Sequence, residues 1–231
     1  MLERPRFAVI APVQNHWFAN HADQLTSALT EFGEAGRFHH HRDTPPSDVA
    51  FLLSYPRIVP AEALARHGTC VVAHASALPA GKGMSPMPWQ ILEGAREIPI
   101  TLFRAVPELD AGPVYLRSSI HTRGNELLPE LRIALADEIV RLCLEFANRY
   151  PTILDNARPQ SGASTTYRTR TPADSELDPH CSIADQFDLL RIVDNERYPA
   201  FFHHRGRRYR LTIEADDEHP DGSRSSNPNR S

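Results

Sequence analysis

A histidine, His74, and an aspartate, Asp110, stand 110 − 74 = 36 residues apart in this chain of 231. His74 ends an apolar run, residues 69–73, and is followed by the small residues Ala75, Ser76 and Ala77, which leave its ring unobstructed. Asp110 opens an Asp-Ala-Gly turn shortly after a second apolar run, residues 98–103. An imidazole beside a carboxylate is a device for moving protons, because the carboxylate fixes the tautomer and favours the charged ring. If the two runs are neighbouring strands, the pair meets at one sheet edge; otherwise His74 is a rim residue. Between them lies a turn region built from Pro79, Gly81, Gly83, Pro86 and Pro88. Lys82 in that turn either meets an anionic group or is simply solvated. Ser76 lacks the G-x-S-x-G elbow of a nucleophilic serine, so its hydroxyl is expected to tie down the loop after the strand.

Composition bounds what those residues can serve. Hydrophobic residues make up 41% and charged residues 23%, enough for a substantial core. A formal net charge of −4 gives no general reason to wrap nucleic acid, and no nucleic-acid partner is expected. Cys70, Cys143 and Cys181 are odd in number and widely spaced, which is not a disulfide framework; the first two read as buried thiols. Pro5 and Arg6 interrupt the start, and the apolar runs fall far short of a membrane span, so a cytoplasmic protein without membrane insertion is expected. The triple histidine His39, His40, His41 would alternate faces in a strand and has no neighbours to complete a tetrahedral set, so no metal is expected.

The elements that must position the pair follow from periodicity. Residues 7–12 read as a buried first strand, and the loop after it, with Asn15 and His16, carries neither a dinucleotide fingerprint nor a P-loop. A helix over 20–32, strands over 36–41 and 48–53, a short helix over 60–66 and the strand that delivers His74 come next. A short helix over 89–94 and strands over 98–103 and 111–120 complete the sheet. Residues 126–150 form the clearest helix, with Leu128, Leu131, Leu135, Ile139, Leu142 and Phe146 on one stripe and Asn125 as the expected N-cap. A polar stretch, 156–179, holds Tyr167, Arg168 and Arg170, which line an anion site or form exposed ion pairs. A helix over 182–193 and a hairpin from 199–203 and 208–213 follow. The alternation predicts an α/β fold, a mostly parallel sheet flanked by helices. We expect a catalytic core over 1–155, an extension with a hairpin over 156–215, and a disordered tail over 216–231.

His74, Ser76, Leu78, Pro79, Gly83, Pro86, Trp89, Gly94, Thr101, Asp110 and Gly112 occur in the order and at the His-to-Asp interval of a known pattern. In this the chain resembles the formyltransferases that use 10-formyltetrahydrofolate, with a Rossmann-like core. The stretch from Tyr167 onward, through Leu190-Arg191, Pro199-Ala200-Phe201 and the hairpin, is similar to the sugar N-formyltransferases. About 190 residues are covered at varying strength. One departure stands out: Val72 occupies the place of the family's asparagine, and valine cannot donate a hydrogen bond. Gln14, Asn15, His16 and the Lys82 loop are the candidate substitutes.

The resemblance implies formyl transfer from 10-formyltetrahydrofolate to the amino group of a nucleotide-linked amino sugar, without a metal, in a homodimer. It implies His74 and Asp110 as catalytic residues with Ser76 in support. Leu53, Gly83 and Pro107 would border the folate, and Asn15, His16, Lys82, Tyr167 and Arg168 the sugar nucleotide. Two other readings are hydrolysis of the formyl-folate, and a degenerate relative that only binds folate or a nucleotide sugar.

Overall fold

The computed structural model describes residues 4–13 and 16–216. Gln14, Asn15 and all of the expected tail beyond Asp216 lie outside the described residues. The chain builds a six-stranded sheet in the order β2-β1-β3-β4-β6-β7. β1 (Arg6–Ile10), β2 (Glu34–Phe38), β3 (Val49–Leu52) and β4 (Thr69–His74) run parallel. β6 (Glu97–Arg104) and β7 (Val114–His121) close the sheet antiparallel. Helices α1 (Ala19–Leu29) and α2 (Ala61–Leu64) make the early crossovers. This is the expected α/β architecture with a mostly parallel sheet.

Alternation along the strands sorts their side chains between two faces. Phe7 and Val9, Phe51, Val71, Ile98, Ile100 and Leu102 point into the main core. That core is closed by α1 and α4 (Leu128–Asn148), whose stripe Leu128, Leu131, Leu135, Ile139, Leu142 and Phe146 is buried as its spacing predicts. Ala8, Ile10, Ala50, Leu52 and Cys70 form a smaller cluster on the opposite face, with Val72 packed against it. His74 follows Cys70 and Val72 at intervals of two, so it shares their face and stands away from the α1–α4 layer.

The short helix expected over 89–94 begins earlier, as α3 (Pro86–Leu92), and α1 ends three residues short of its expected bound. Three further boundaries differ for local reasons. The strand over 36–41 sits earlier, at Glu34–Phe38, because it pairs with β1 from Arg6. The histidines after it enter a turn in which Thr44 Oγ1 and the Asp43 amide both donate to the His40 carbonyl. His41 is buried there, with Nδ1 at 2.8 Å from the Tyr55 hydroxyl. Asn125 does not cap α4. The helix starts three residues later, and Glu130 accepts from the Leu127 amide at 2.8 Å, satisfying a free donor of the first turn. The helix over 182–193 shrinks to α5 (Phe187–Leu190), because Gln186 is drawn back to the carbonyls of Asp178, Cys181 and Ser182.

The hairpin forms between β9 (Ala200–His204) and β10 (Arg207–Leu211). Its two-residue loop, Arg205-Gly206, has positive φ at both positions, as a tight hairpin turn requires. Residues after α5 are tied to the chain ahead of α4 by Arg191, whose side chain is 0% exposed. Its Nε donates to the Glu126 carbonyl at 3.1 Å, and its Nη1 and Nη2 face Asp188 and Glu126 at 3.3 and 3.4 Å. Cys70 and Cys143 are buried thiols. Burial pushes the Cys70 thiol up to about 12 and raises that of Cys143 as well.

Candidate active site

β4 and β6 are neighbours, and the register sets His74 opposite Thr101. The turn after β6 swings Asp110 back toward the end of β4. His74 Nε2 and Asp110 Oδ2 lie 3.9 Å apart, with side chains only 10% and 11% exposed. That is ion-pair range but too long for a hydrogen bond. The direct hydrogen bond of His74 Nε2 goes instead to the Gly81 carbonyl, at 2.8 Å. A carbonyl only accepts, so the neutral ring carries its proton on Nε2 and keeps the Nδ1 lone pair free. Asp110 Oδ2 accepts from the Gly83 amide at 2.9 Å. The same loop therefore holds both members: Gly81 takes the histidine, Gly83 the aspartate.

That loop is folded as only glycine allows. Gly81 and Gly83 have φ of +74° and +93°. A Cβ on Gly81 would come within 2.9 Å of Ser76 Cβ, and one on Gly83 within 2.3 Å of the Tyr167 carbonyl. Ser76 acts differently from expectation. Its hydroxyl is buried without a hydrogen-bond partner among the described residues, so it does not tie the loop. Its carbonyl does, accepting from the buried Thr101 hydroxyl at 2.7 Å. Arg117 adds a second tie, donating to the Leu78 carbonyl at 2.6 Å.

The polar stretch after α4 returns to this loop. Lys82 and Gly83 form a short strand, β5 (Lys82–Gly83), which pairs in parallel with β8 (Thr166–Tyr167). The Gly81 amide donates to Thr165 Oγ1 at 2.8 Å. Gln160 Nε2 donates to the carbonyls of Asp110 and Gly112, both at 2.9 Å. Asp110 itself sits at φ +46°, a left-handed conformation that its non-glycine backbone holds at some cost. Thr101 belongs to the sequence pattern, but its role as a tie does not follow from residue type. Gln160, Thr165 and Arg117 carry no sequence signal, because the loop atoms they hold are backbone groups far away in the chain.

The remaining site candidates are dispersed. Tyr167 is brought to the His74 loop by its pairing with Gly83; its hydroxyl donates to Glu93 at 2.6 Å, and its ring stacks on Trp89 at 6.5 Å. Burial and then the Glu93 carboxylate push that phenol up to about 12, so it stays protonated. Arg168 lies over the Trp89 ring at 4.6 Å and is paired with Asp174. That carboxylate is held well below its usual range, first by the Arg168 hydrogen bonds. Leu53 is fully buried in the main core and its amide donates to Ile10, so its side chain is not open to a ligand. Pro107 and Leu109 are exposed on the loop that leads to Asp110. His16 lies toward Arg132 and Arg197; burial first, then those charges, lower its pKa. Its neighbour Trp17 lines a cleft of about 600 Å³ between the start of α4 and residues 190–197, whose lining includes none of His16, His74 and Asp110. Among the described residues, no group of three or more His, Cys, Asp or Glu side chains is placed to hold a metal ion.

Residues 37–142, which hold both His74 and Asp110, match the model of a family described as formyl transferase. A methionyl-tRNA formyltransferase from Acidothermus cellulolyticus is 33% identical over 134 residues, 57% of this chain and 41% of that protein. The chain thus spans under half the length of that curated relative. Two solved structures share the fold over nearly the whole chain. A methionyl-tRNA formyltransferase from Clostridium thermocellum superposes with a TM-score of 0.72 at 20% identity, covering 90% of this chain and 94% of that one. A sugar N-formyltransferase from a Shewanella species does so with a TM-score of 0.64 at 12% identity, covering 93% and 99%.

Proposed function

We propose that this chain, built around a formyltransferase-family segment, transfers a formyl group from 10-formyltetrahydrofolate to the amino group of a nucleotide-linked amino sugar. The observation that carries the chemistry is the His74–Asp110 pair, 3.9 Å apart at the end of β4 inside the matched segment. The sugar acceptor rests on the pattern from Tyr167 through the hairpin. The exposed Pro107 and Leu109 give the Asp110 loop an apolar rim suited to a flat aromatic ring, which fits a folate donor. That donor supplies the activated formyl group.

The residues act on protons. An amine attacking the formyl carbon forms a C–N bond and becomes cationic as charge builds on the formyl oxygen. His74 Nδ1 takes the proton the amine must lose, since Nε2 already carries one bound to Gly81. The imidazolium so formed faces Asp110, whose charge stabilises it. His74 then returns the proton to the leaving nitrogen as its bond to the formyl carbon breaks. In this scheme His74 is a proton carrier, and the oxyanion needs another donor.

Val72 is where the family pattern has that donor. It shares His74's sheet face, packed beside Leu78, Phe103 and Val114. Val72→Asn is expected to raise turnover about 10-fold or more, because one oxyanion donor is worth about 10²–10³ in rate. Turnover of the variant with a saturating acceptor checks this. A fall would mean that the valine belongs to a different geometry.

The deciding test of acceptor offers 10-formyltetrahydrofolate with a panel of nucleotide-linked amino sugars, read by product mass. One sugar gaining a formyl group supports the reading. A second reading, transfer to an aminoacyl-tRNA, is favoured by the 33% identity to a methionyl-tRNA formyltransferase. Formylation of charged tRNA and of no sugar would establish it instead. Formate released without any acceptor would indicate a hydrolase.

A further inference from the structure

We infer that residues 158–167 act as a positioning strap, in which Gln160 and Thr165 together set the distance between His74 and Asp110. The inference rests on the proposed role of that pair and adds residues to it. The strap is anchored at one end by Arg158, whose amide and carbonyl exchange hydrogen bonds with Val114 at 2.9 and 2.7 Å. At the other end it is zipped to Lys82 and Gly83 through Thr166 and Tyr167. Between the anchors two of its side chains hold the site, five residues apart, and the Thr165 carbonyl accepts from the Lys82 amide at 2.9 Å.

Gln160 spans the Asp110 turn by donating to carbonyls on both sides of Ala111. Those bonds hold Asp110 in its left-handed conformation, which aims the carboxylate at the Gly83 amide and toward His74. Thr165 accepts from the Gly81 amide, and the carbonyl of the same Gly81 receives the His74 proton. The Thr165 bond thus turns the peptide that fixes the histidine tautomer. Neither strap side chain is bonded to His74 or to the Asp110 carboxylate; each acts through backbone. Both contacts come from one segment, so a shift of the strap moves both members of the pair.

Three variants test this: Gln160→Glu, which keeps the shape but loses the donor; Thr165→Val, which loses the hydroxyl; and Thr165→Ser, which restores it. The first two are expected to lower kcat about 10-fold or more with the folate KM within about twofold, as for groups acting in the transition state. Thr165→Ser should recover most of the loss. NMR of the ring nitrogens of His74 gives a readout without turnover: the Nε2–H tautomer dominant in the parent chain should give way to a mixture in Thr165→Val. A merely structural role would lower melting temperature and leave the tautomer and kcat of the folded fraction unchanged, which would overturn the inference. Parallel loss in Thr165→Ser and Thr165→Val would also overturn it. His74→Ala serves as the control. If it keeps full turnover, the proposed role of the pair fails; if it loses turnover while both strap variants keep theirs, only the strap inference fails.

Discussion

Replacing His74 with alanine is expected to lower formyl-transfer turnover by about 10²–10⁴-fold, the usual contribution of a positioned proton carrier. At about 1.4 kcal/mol per tenfold, that corresponds to about 3–5 kcal/mol of transition-state stabilisation. Folate affinity should barely change, because the ring's proton transfer occurs only as the new C–N bond forms. Steady-state kinetics in both substrates, beside equilibrium folate binding, separates the two. His74→Gln is informative for the same reason. Its amide donor can still reach the Gly81 carbonyl, yet it cannot accept and return a proton at neutral pH. If His74→Gln retained turnover, His74 would be holding the loop and not carrying a proton. Asp110→Asn should also reduce turnover, since an amide neither stabilises the imidazolium charge nor matches the Gly83 amide as well as a carboxylate does.

The second large effect concerns stability. Arg191→Ala is expected to cost about 3–5 kcal/mol, because removing one partner leaves a buried ionic cluster uncompensated. Against a usual total of about 5–15 kcal/mol this is a large fraction. Arg191 is the largest side chain among the fully buried ones, and it is the link from α5 to the chain just ahead of α4. Urea unfolding measures the loss, and a change below about 1 kcal/mol would show that the cluster is solvated. Acid gives a second measure. Burial by itself would raise the Glu126 pKa, but hydrogen bonds from the Arg123 and Gly124 amides, with Arg191 nearby, outweigh it and hold the group at about 2. A carboxylate depressed in the folded state contributes stability above its unfolded pKa of about 4.3, and the contribution is lost as pH falls toward the folded value. Denaturant midpoints should therefore decline between about pH 5 and 2. In Arg191→Ala that acid limb should be shallower, since one of the causes of the depression is gone.

Much of the architecture was legible because it rests on periodicity. The α4 stripe and the buried strands at β1, β3, β4 and β6 follow from apolar spacing alone. Several of the elements that shifted were decided by local polar groups, side chain or backbone. Gln186 shortened α5, Glu130 in place of Asn125 satisfied the start of α4, and the His40 carbonyl gathered two donors after β2. The nearness of His74 and Asp110 was legible as a conditional, requiring β4 and β6 to adjoin, as they do. How the two are held was not. Ser76 works through its carbonyl, and Gln160 and Thr165 grip backbone atoms 48 to 84 residues away. No pattern in residue types announces a bond to a distant peptide group.

The return of residues 158–167 to the His74 loop has a consequence for the order in which the molecule comes into being. During synthesis the whole family-matched segment, ending at residue 142, leaves the ribosome before Gln160 or Thr165 does. A nascent chain at that point has β4, β6 and most of α4, yet neither Asp110 nor Gly81 has its tie. On the role proposed for the pair, competence for chemistry is deferred until well past the segment that carries it, and a chain arrested after α4 would display His74 and Asp110 without these ties.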